Sequence, residues 1–262
     1  MSKPLIFSLR PEPDCSEDVA SLTKAGFAAS PLPMMVIKGD DVALDKALEI
    51  FSRRPDTEII ITSKQSSRML AGYSKSATLR QLRIWCVGAG SAEILRQAGF
   101  IRIEVGKADA AALLEKIDAS NIDKKPRLLW LSGADIAFDI EKELNLRGHH
   151  ATRTIIYQSV ADAPEYQPPE SPNLEFRPLL DALSAGRPVA AIAMSARTIT
   201  VFAQRLARQK MVTSSANPIL IVQSPAQAER AKHLGFLSIC AEGLGRGALL
   251  ACVAEWAQRH MR

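Results

Sequence analysis

Leu82-Arg-Ile-Trp-Cys-Val-Gly-Ala-Gly-Ser-Ala92, continued by Gln97-Ala-Gly-Phe-Ile-Arg-Ile103, decides the fold because it occurs twice. Its weak copy is Ile219-Leu-Ile-Val-Gln-Ser-Pro-Ala-Gln-Ala228, continued by His233-Leu-Gly-Phe-Leu-Ser-Ile239. The interval from Ser91 to Gln227 equals that from Gly99 to Gly235, 136 positions. A second pair lies upstream of each copy. Ile59-Ile-Ile-Thr-Ser-Lys-Gln65 matches Ala191-Ile-Ala-Met-Ser-Ala-Arg197, with Ser63 opposite Ser195. Each half reads as strand, Ser-bearing turn and helix, then strand, small-residue turn and helix. Two similar lobes with polar strand-to-helix turns suggest a ligand held in a cleft.

Outward from the repeat, short β-rich runs alternate with amphipathic helical patterns. That alternation predicts an α/β protein whose parallel sheets are flanked by helices. Strands are expected at 5–9, 58–62, 83–87, 127–131, 150–157, 189–194, 218–222 and 237–240, with an extended stretch at 27–34. Helices are expected at 16–25, 41–54, from 66 to 70 onward, 91–98, 110–117, 135–146, 198–209, 225–234 and 248–259. In 41–54 the apolar side is Val42, Leu44, Leu48 and Phe51. The four prolines of 163–172 mark a loop or linker. The second repeat ends at the C-terminus without its own first strand-helix unit. Residues 5–33 can supply it, since they resemble 127–157 in order: strand, polar turn, helix, Gly, strand. One domain is then discontinuous, 1–33 plus 160–262, and the other is 34–159. The chain is expected to cross between them near 34–36 and 155–157.

A hydrophobic fraction of 47% supports a core in each lobe and argues against disorder. Lys+Arg 33 against Asp+Glu 28 leaves a charge of +5, which suits an anionic ligand. Aromatics at 5% and the absence of a basic run argue against nucleic acid. Cys15, Cys86, Cys240 and Cys252 have no metal or redox spacing, so a reducing compartment, the cytoplasm, is expected. No signal peptide and no membrane-length apolar run is read. His149, His150, His233 and His260 show no ligand spacing, so no metal is expected.

Gly88-Ala-Gly-Ser-Ala follows a strand and opens a helix. Free N–H groups there, with the Ser91 hydroxyl, suit a carboxylate or phosphate. Equally, Gly88 shapes a turn and Ser91 caps a helix. The run lacks the full dinucleotide fingerprint and the phosphate-loop lysine. Thr62, Ser63 and Lys64 offer the same anion donors at another helix start, against a reading as ordinary caps. Met194-Ser195-Ala-Arg197 stands at the corresponding place in the other half, and the duplication favours function. Tyr157 ends a strand and carries a phenol able to protonate a leaving group, or packs with its tip in water. Arg10, after the first strand, could pair with a carboxylate or sit as a surface turn arginine, and Arg153 is another basic candidate near the crossing between lobes. No nucleophilic triad or metal motif stands out.

In order along the chain, these pieces resemble the uroporphyrinogen-III synthase family. The carriers are Leu9-Arg10-Pro11, Thr62-Ser63, Val87-Gly88-Ala89-Gly90-Ser91-Ala92, Gly99-Phe100, Leu131-Ser132-Gly133, Ile156-Tyr157 and Met194-Ser195. The chain departs from the family pattern at Leu9, where Thr is usual, and at Gln65, where Asn is common. Ser91 replaces Thr. Ser224-Pro-Ala-Gln227-Ala replaces a C-terminal Gly-x-x-Thr-Ala.

The resemblance implies two α/β lobes on a two-stranded connection and a linear tetrapyrrole substrate, hydroxymethylbilane. The product is uroporphyrinogen III, formed with loss of water and inversion of ring D. It implies no cofactor. It implies Tyr157 as the group that assists hydroxyl departure. Binding would fall to Arg10, Thr62, Ser63, Lys64, Gly88, Ser91, Ser132, Gly133, Ser195, Arg197, Ser224 and Gln227. A monomer receiving substrate from porphobilinogen deaminase is expected, with neither nucleic acid nor membrane as partner. A family member without catalysis, a two-lobed carboxylate-binding regulator and a nucleotide-dependent enzyme are the competing readings.

Overall fold

The apolar runs become strands, and Gly26, Gly99, Gly148, Gly186 and Gly235, all at positive φ, end five of the helices that follow them. The computed structural model describes residues 3–53, 56–106, 109–120, 125–161, 174–209, 217–243 and 245–260. In chain order β1 (Leu5–Ser8), α1 (Asp14–Lys24) and β2 (Ala28–Pro31) come first. Then follow β3 (Met35–Gly39), α2 (Asp41–Ser52), β4 (Thr57–Ile61), α3 (Lys64–Gly72), α4 (Ser76–Leu79), β5 (Arg83–Cys86), α5 (Ala89–Gln97), β6 (Ile103–Val105), α6 (Ala110–Ser120), β7 (Arg127–Gly133), α7 (Ile140–Leu146) and β8 (His150–Ala161). The last third holds a 3-10 turn at Leu174–Phe176, α8 (Arg177–Ser184), β9 (Val189–Ile192), α9 (Ala196–Arg208), β10 (Ile219–Val222), α10 (Pro225–His233), β11 (Ser238–Cys240) and α11 (Arg246–His260).

The chain divides into two units, one of residues 1–36 and 160–262 and the other of 37–159. The first holds a sheet of order β11-β10-β9-β1-β2, with all its pairs parallel. The second holds β3-β8-β7-β4-β5-β6, parallel from β8 through β6. Strand for strand, β6, β5, β4, β7 and β8 correspond to β11, β10, β9, β1 and β2. The sequence repeat is therefore a repeat of topology. It includes the borrowing of β1, α1 and β2 from the far end of the chain. The neighbouring strands β3 and β8 contain the points where the chain changes unit, at 36–37 and 159–160.

Strand alternation fills both faces of each sheet. Phe7 enters one core of the first unit and Ile6 the other. Ile59 and Ile61 enter one core of the second unit, and Ile60 the other. The Gly-Phe pairs of the repeat close α5 and α10 identically. Gly99 and Gly235 take φ +89° and +82°, open only to glycine at low cost. The following amides reach back: Phe100 N–H donates to the Leu95 carbonyl and Phe236 N–H to that of Ala231, each at 3.0 Å. This six-to-one closure satisfies end carbonyls and buries the phenylalanine.

Several expectations change. The helix expected at 135–146 begins at Ile140, because Asp139 caps it by accepting from Lys142 N–H at 3.0 Å. Helix α5 starts at Ala89 with Gly88 as its cap residue, so Ser91 sits inside the first turn and is buried. Val42 is 80% exposed, while Leu44 and Leu48 are buried. Strand β3 overlaps the crossing strand expected near 34–36, whereas no expectation covers β6, α4 and α8. The stretch 163–172 and the Phe51 side chain lie outside the described residues.

Candidate functional site

Each sheet contains a reversal of strand order. It falls between β1 and β9 in one unit and between β7 and β4 in the other. Ligands of open parallel sheets sit outside the carboxyl ends of the strands at such a point. The residues there are Arg10 and Ser195 in the first unit, and Ser132, Gly133, Thr62 and Ser63 in the second.

In the second unit these side chains converge. Ser63 caps α3, its Oγ accepting from Ser66 N–H at 3.0 Å. The same oxygen donates to Ser66 Oγ at 3.0 Å and accepts from the Tyr157 phenol at 3.0 Å. A break in register brings Tyr157 there. Ser132 pairs with Ile155, but Gly133 pairs with Tyr157, leaving Ile156 as an extra residue on β8. A bulge of this kind re-aims the next side chain. Ile156 and Tyr157, which would otherwise face opposite ways, both pack on one core. Gly133 makes room: a Cβ built on it would lie 2.5 Å from Tyr157 Cζ. Burial pushes the phenol above its ordinary pKa; the Ser63 bond opposes this and the Asp135 charge adds to it. A phenol carries its proton at neutral pH without any shift, and this upward push makes Tyr157 a weaker acid than a free tyrosine.

Around it, Thr62 Oγ1 accepts from Trp130 Nε1 at 3.2 Å. Ser132 Oγ accepts from Arg153 Nε at 2.7 Å and donates to the Gly133 carbonyl at 3.1 Å. Lys64 lays its chain across Gly90, where a built Cβ would meet Lys64 Cε at 2.8 Å. The glycine of the α5 turn thus admits a lysine from the next turn, which brings Lys64 to the Gly88–Ser91 helix start.

In the first unit Ser195 repeats the geometry of Ser63. It caps α9, accepts from Thr198 N–H at 3.0 Å and bonds Thr198 Oγ1 at 2.8 Å. Ser195 and Arg197 are exposed at this turn. Ser224 caps α10 and accepts from Gln227 N–H at 3.3 Å. Gln227, expected to meet substrate, is occupied internally. Its carbonyl accepts from Gln223 N–H at 2.9 Å and its amide donates to the Met194 carbonyl at 2.9 Å. It is a variant capping box that also ties the α10 turn to the α9 turn. Arg10 is engaged too. It lies 2.8 Å from Asp14 and 3.2 Å from Asp18. Asp18 also accepts from Ser8 at 3.1 Å and Arg246 at 3.0 Å. Arg10 thus ties the end of β1 to α1, while Arg246 of α11 reaches Glu17 and Asp18 of the same helix.

Among the described residues no group of three His, Cys, Asp or Glu side chains could hold a metal ion, and no helix is long and apolar enough to cross a membrane. His149 Nε2 lies 2.6 Å from Asp118 Oδ1. All four cysteines are free, and burial pushes the Cys86 thiol up to about 12. The signal that sequence reading underused is Arg153, whose guanidinium holds the β7 end.

Fold and turns define a twice-repeated doubly wound α/β protein, with hydroxyl-capped helix starts at its strand-order reversals. The sequence model of uroporphyrinogen-III synthase HemD matches residues 16–251, and the chain belongs to that family. Among solved structures it is similar to the uroporphyrinogen-III synthetase of Helicobacter pylori, at 15% identity and TM-score 0.59, covering 97% of this chain and 100% of that one. It is also similar to a mutant uroporphyrinogen III synthase of Thermus thermophilus, at 16% identity and TM-score 0.55, covering 97% and 99%. No curated protein sequence matches significantly.

Proposed function

We propose that this chain cyclises hydroxymethylbilane to uroporphyrinogen III, as the family it belongs to implies. The observation that supports the residue assignment is geometric: a bulge aims the Tyr157 phenol at Ser63, which caps the helix start at the strand-order reversal. Ser63 Oγ already accepts two hydrogen bonds and donates one. A substrate hydroxyl reaches the phenol by replacing Ser63 as acceptor. Tyr157 then protonates that oxygen, the carbon–oxygen bond breaks, and water leaves with the electron pair. The electrophilic azafulvene is attacked by ring D through a spiro intermediate, which reopens and recloses with ring D inverted. The phenolate recovers the proton released as the macrocycle regains aromatic pyrroles. The protein's main task is to hold the rings in reacting geometry.

The carboxylates of the substrate are taken by helix starts, where first-turn N–H groups and the aligned peptide dipoles favour anions. Thr62, Ser63, Lys64, Gly88 and Ser91 serve in the second unit, with Ser132 and Gly133 shaping the strand end. Ser195, Arg197 and Ser224 serve in the first, while Arg10 and Gln227 support the turns. No cofactor enters this scheme. We place the protein in the cytoplasm, as a monomer that receives the bilane from porphobilinogen deaminase; its four free cysteines suit that compartment.

The α10 turn favours one second reading. Pro225 removes an N–H and Gln227 spends its amide on Met194, so this turn offers fewer donors than the others. A member that binds the bilane without turnover would fit. A coupled assay with porphobilinogen deaminase, with oxidised products separated by isomer, decides between them. Type III uroporphyrin above the enzyme-free level is expected. Type I alone from folded protein overturns the synthase reading.

A further inference from the structure

We infer that Arg153 is the positioning residue for Tyr157, fixing the strand register that aims the phenol; this rests on the synthase reading above. The two residues lie on β8 on either side of the bulge. Across from them, the end of β7 is gripped by one guanidinium. Arg153 Nε donates to Ser132 Oγ at 2.7 Å, and Nη2 donates to the carbonyls of Gly133 at 2.7 Å and Ala134 at 2.9 Å. The guanidinium carbon lies 5.2 Å from the centre of the Trp130 ring. The Arg153 backbone N–H donates to Glu141 Oε1 at 3.0 Å, which fixes the strand itself.

The consequence is a closed circuit around the phenol. Arg153 holds Ser132, Gly133 and Ala134. Gly133 opens the space that the Tyr157 ring fills, and Ala134 N–H donates to the Tyr157 carbonyl at 2.9 Å. The ring then reaches Ser63. A parallel ladder gives no reason of its own to place the extra residue at Ile156. Slipping by one position would turn Tyr157 to the opposite face. One guanidinium bonded to three successive residues at the end of β7 supplies that reason. In the first unit the strand that corresponds to β8 is β2, Ala28–Pro31, which carries no arginine, and Arg10, after β1, is matched by Asp14 and Asp18. Among the described residues no carboxylate reaches the Arg153 head group, so its donors are spent on backbone and hydroxyl oxygens.

Lysine keeps the charge but cannot reproduce the fork, which makes Arg153→Lys the informative change. In the coupled assay we expect kcat to fall between about tenfold and about a hundredfold with KM nearly unchanged, the effect of misplacing a reacting group. In a Tyr157→Phe background, Arg153→Lys should cost little more, because both act through one group. Independent of catalysis, the ¹³C resonance of the Tyr157 phenol carbon, assigned with Tyr157→Phe, should shift and broaden in Arg153→Lys without any substrate. Ser132→Ala, which removes one of the three acceptors, should shift it less in the same direction and serves if the lysine variant does not fold. A raised KM with unchanged kcat, additive losses in the double variant, or an unmoved phenol resonance would each overturn the positioning role. Absence of type III product from the unaltered protein sinks only the synthase reading, since the resonance still reports whether Arg153 holds Tyr157.

Discussion

Tyr157 is placed by its neighbours. Its direction is set by the bulge and its space by Gly133, while burial pushes its pKa upward. Tyr157→Phe should lower the yield of type III isomer by about a hundredfold, the low end of what a placed proton donor contributes. It should cost only about 1 kcal/mol in urea unfolding, the value of one hydrogen bond, because Ser63 keeps its partner in α3. Gly133→Ala is the harsher change, since its methyl would sit 2.5 Å from Tyr157 Cζ. We expect loss of about 1–3 kcal/mol by overpacking, with activity lost as the ring is displaced; an unaltered urea midpoint and rate would contradict that geometry. At this scale the sequence showed residue types but not partners. Ser63 and Tyr157 could be singled out, yet a one-residue bulge leaves no mark in an alternation of apolar positions. Arg10 and Gln227 looked open to a ligand because their internal acceptors lie several residues or another turn away.

Helix starts form the repeated element of this protein; among the described residues aspartates cap α2, α6 and α7 and serines cap α3, α9 and α10. Ser63, Ser195 and Ser224 each accept from the third residue of the helix that follows. Ser224→Ala should therefore cost about 1 kcal/mol in thermal or urea unfolding. Gln227→Ala should cost at least as much, because it also severs the tie to Met194. Little effect from either would show that the α10 turn is not held by its cap. Elements were legible where a pattern and a terminator coincided, as at Gly99 and Gly235. They were not legible where a side chain overrode pattern. Asp139 starts α7 five residues later than the apolar spacing suggests. β6 is three residues long, too short for any alternation to register.

At the scale of the molecule, the two units should differ in their response to acid. Glu104 lies below the ordinary carboxylate range, chiefly through its Lys116 hydrogen bond. Burial works to raise Asp118, but bonds from Arg147 and His149 outweigh it and hold it low as well. A depressed carboxylate contributes stability that is present above its unfolded pKa and lost as pH falls through its folded one. Both groups lie in the 37–159 unit. That unit should lose stability progressively below about pH 4.5, the upper of the two reference values. Trp85 and Trp130 fluorescence reports it, while Trp256 reports the other unit. A flat stability between pH 5 and pH 3 would show these ion pairs to be idle. The layout of the molecule was the most legible level, because a constant interval between two glycines survives substitutions that blur every local motif.

The borrowed strand has a consequence for how the chain is made. β1 lies between β2 and β9, and β9 emerges from synthesis some hundred and eighty residues after β1 does. The 37–159 unit is continuous and has every sheet neighbour before the chain is complete. Vectorial synthesis therefore favours the unit bearing Tyr157 assembling first, while the N-terminal strand-helix-strand arm waits, paired only to itself, for the end of the chain to arrive.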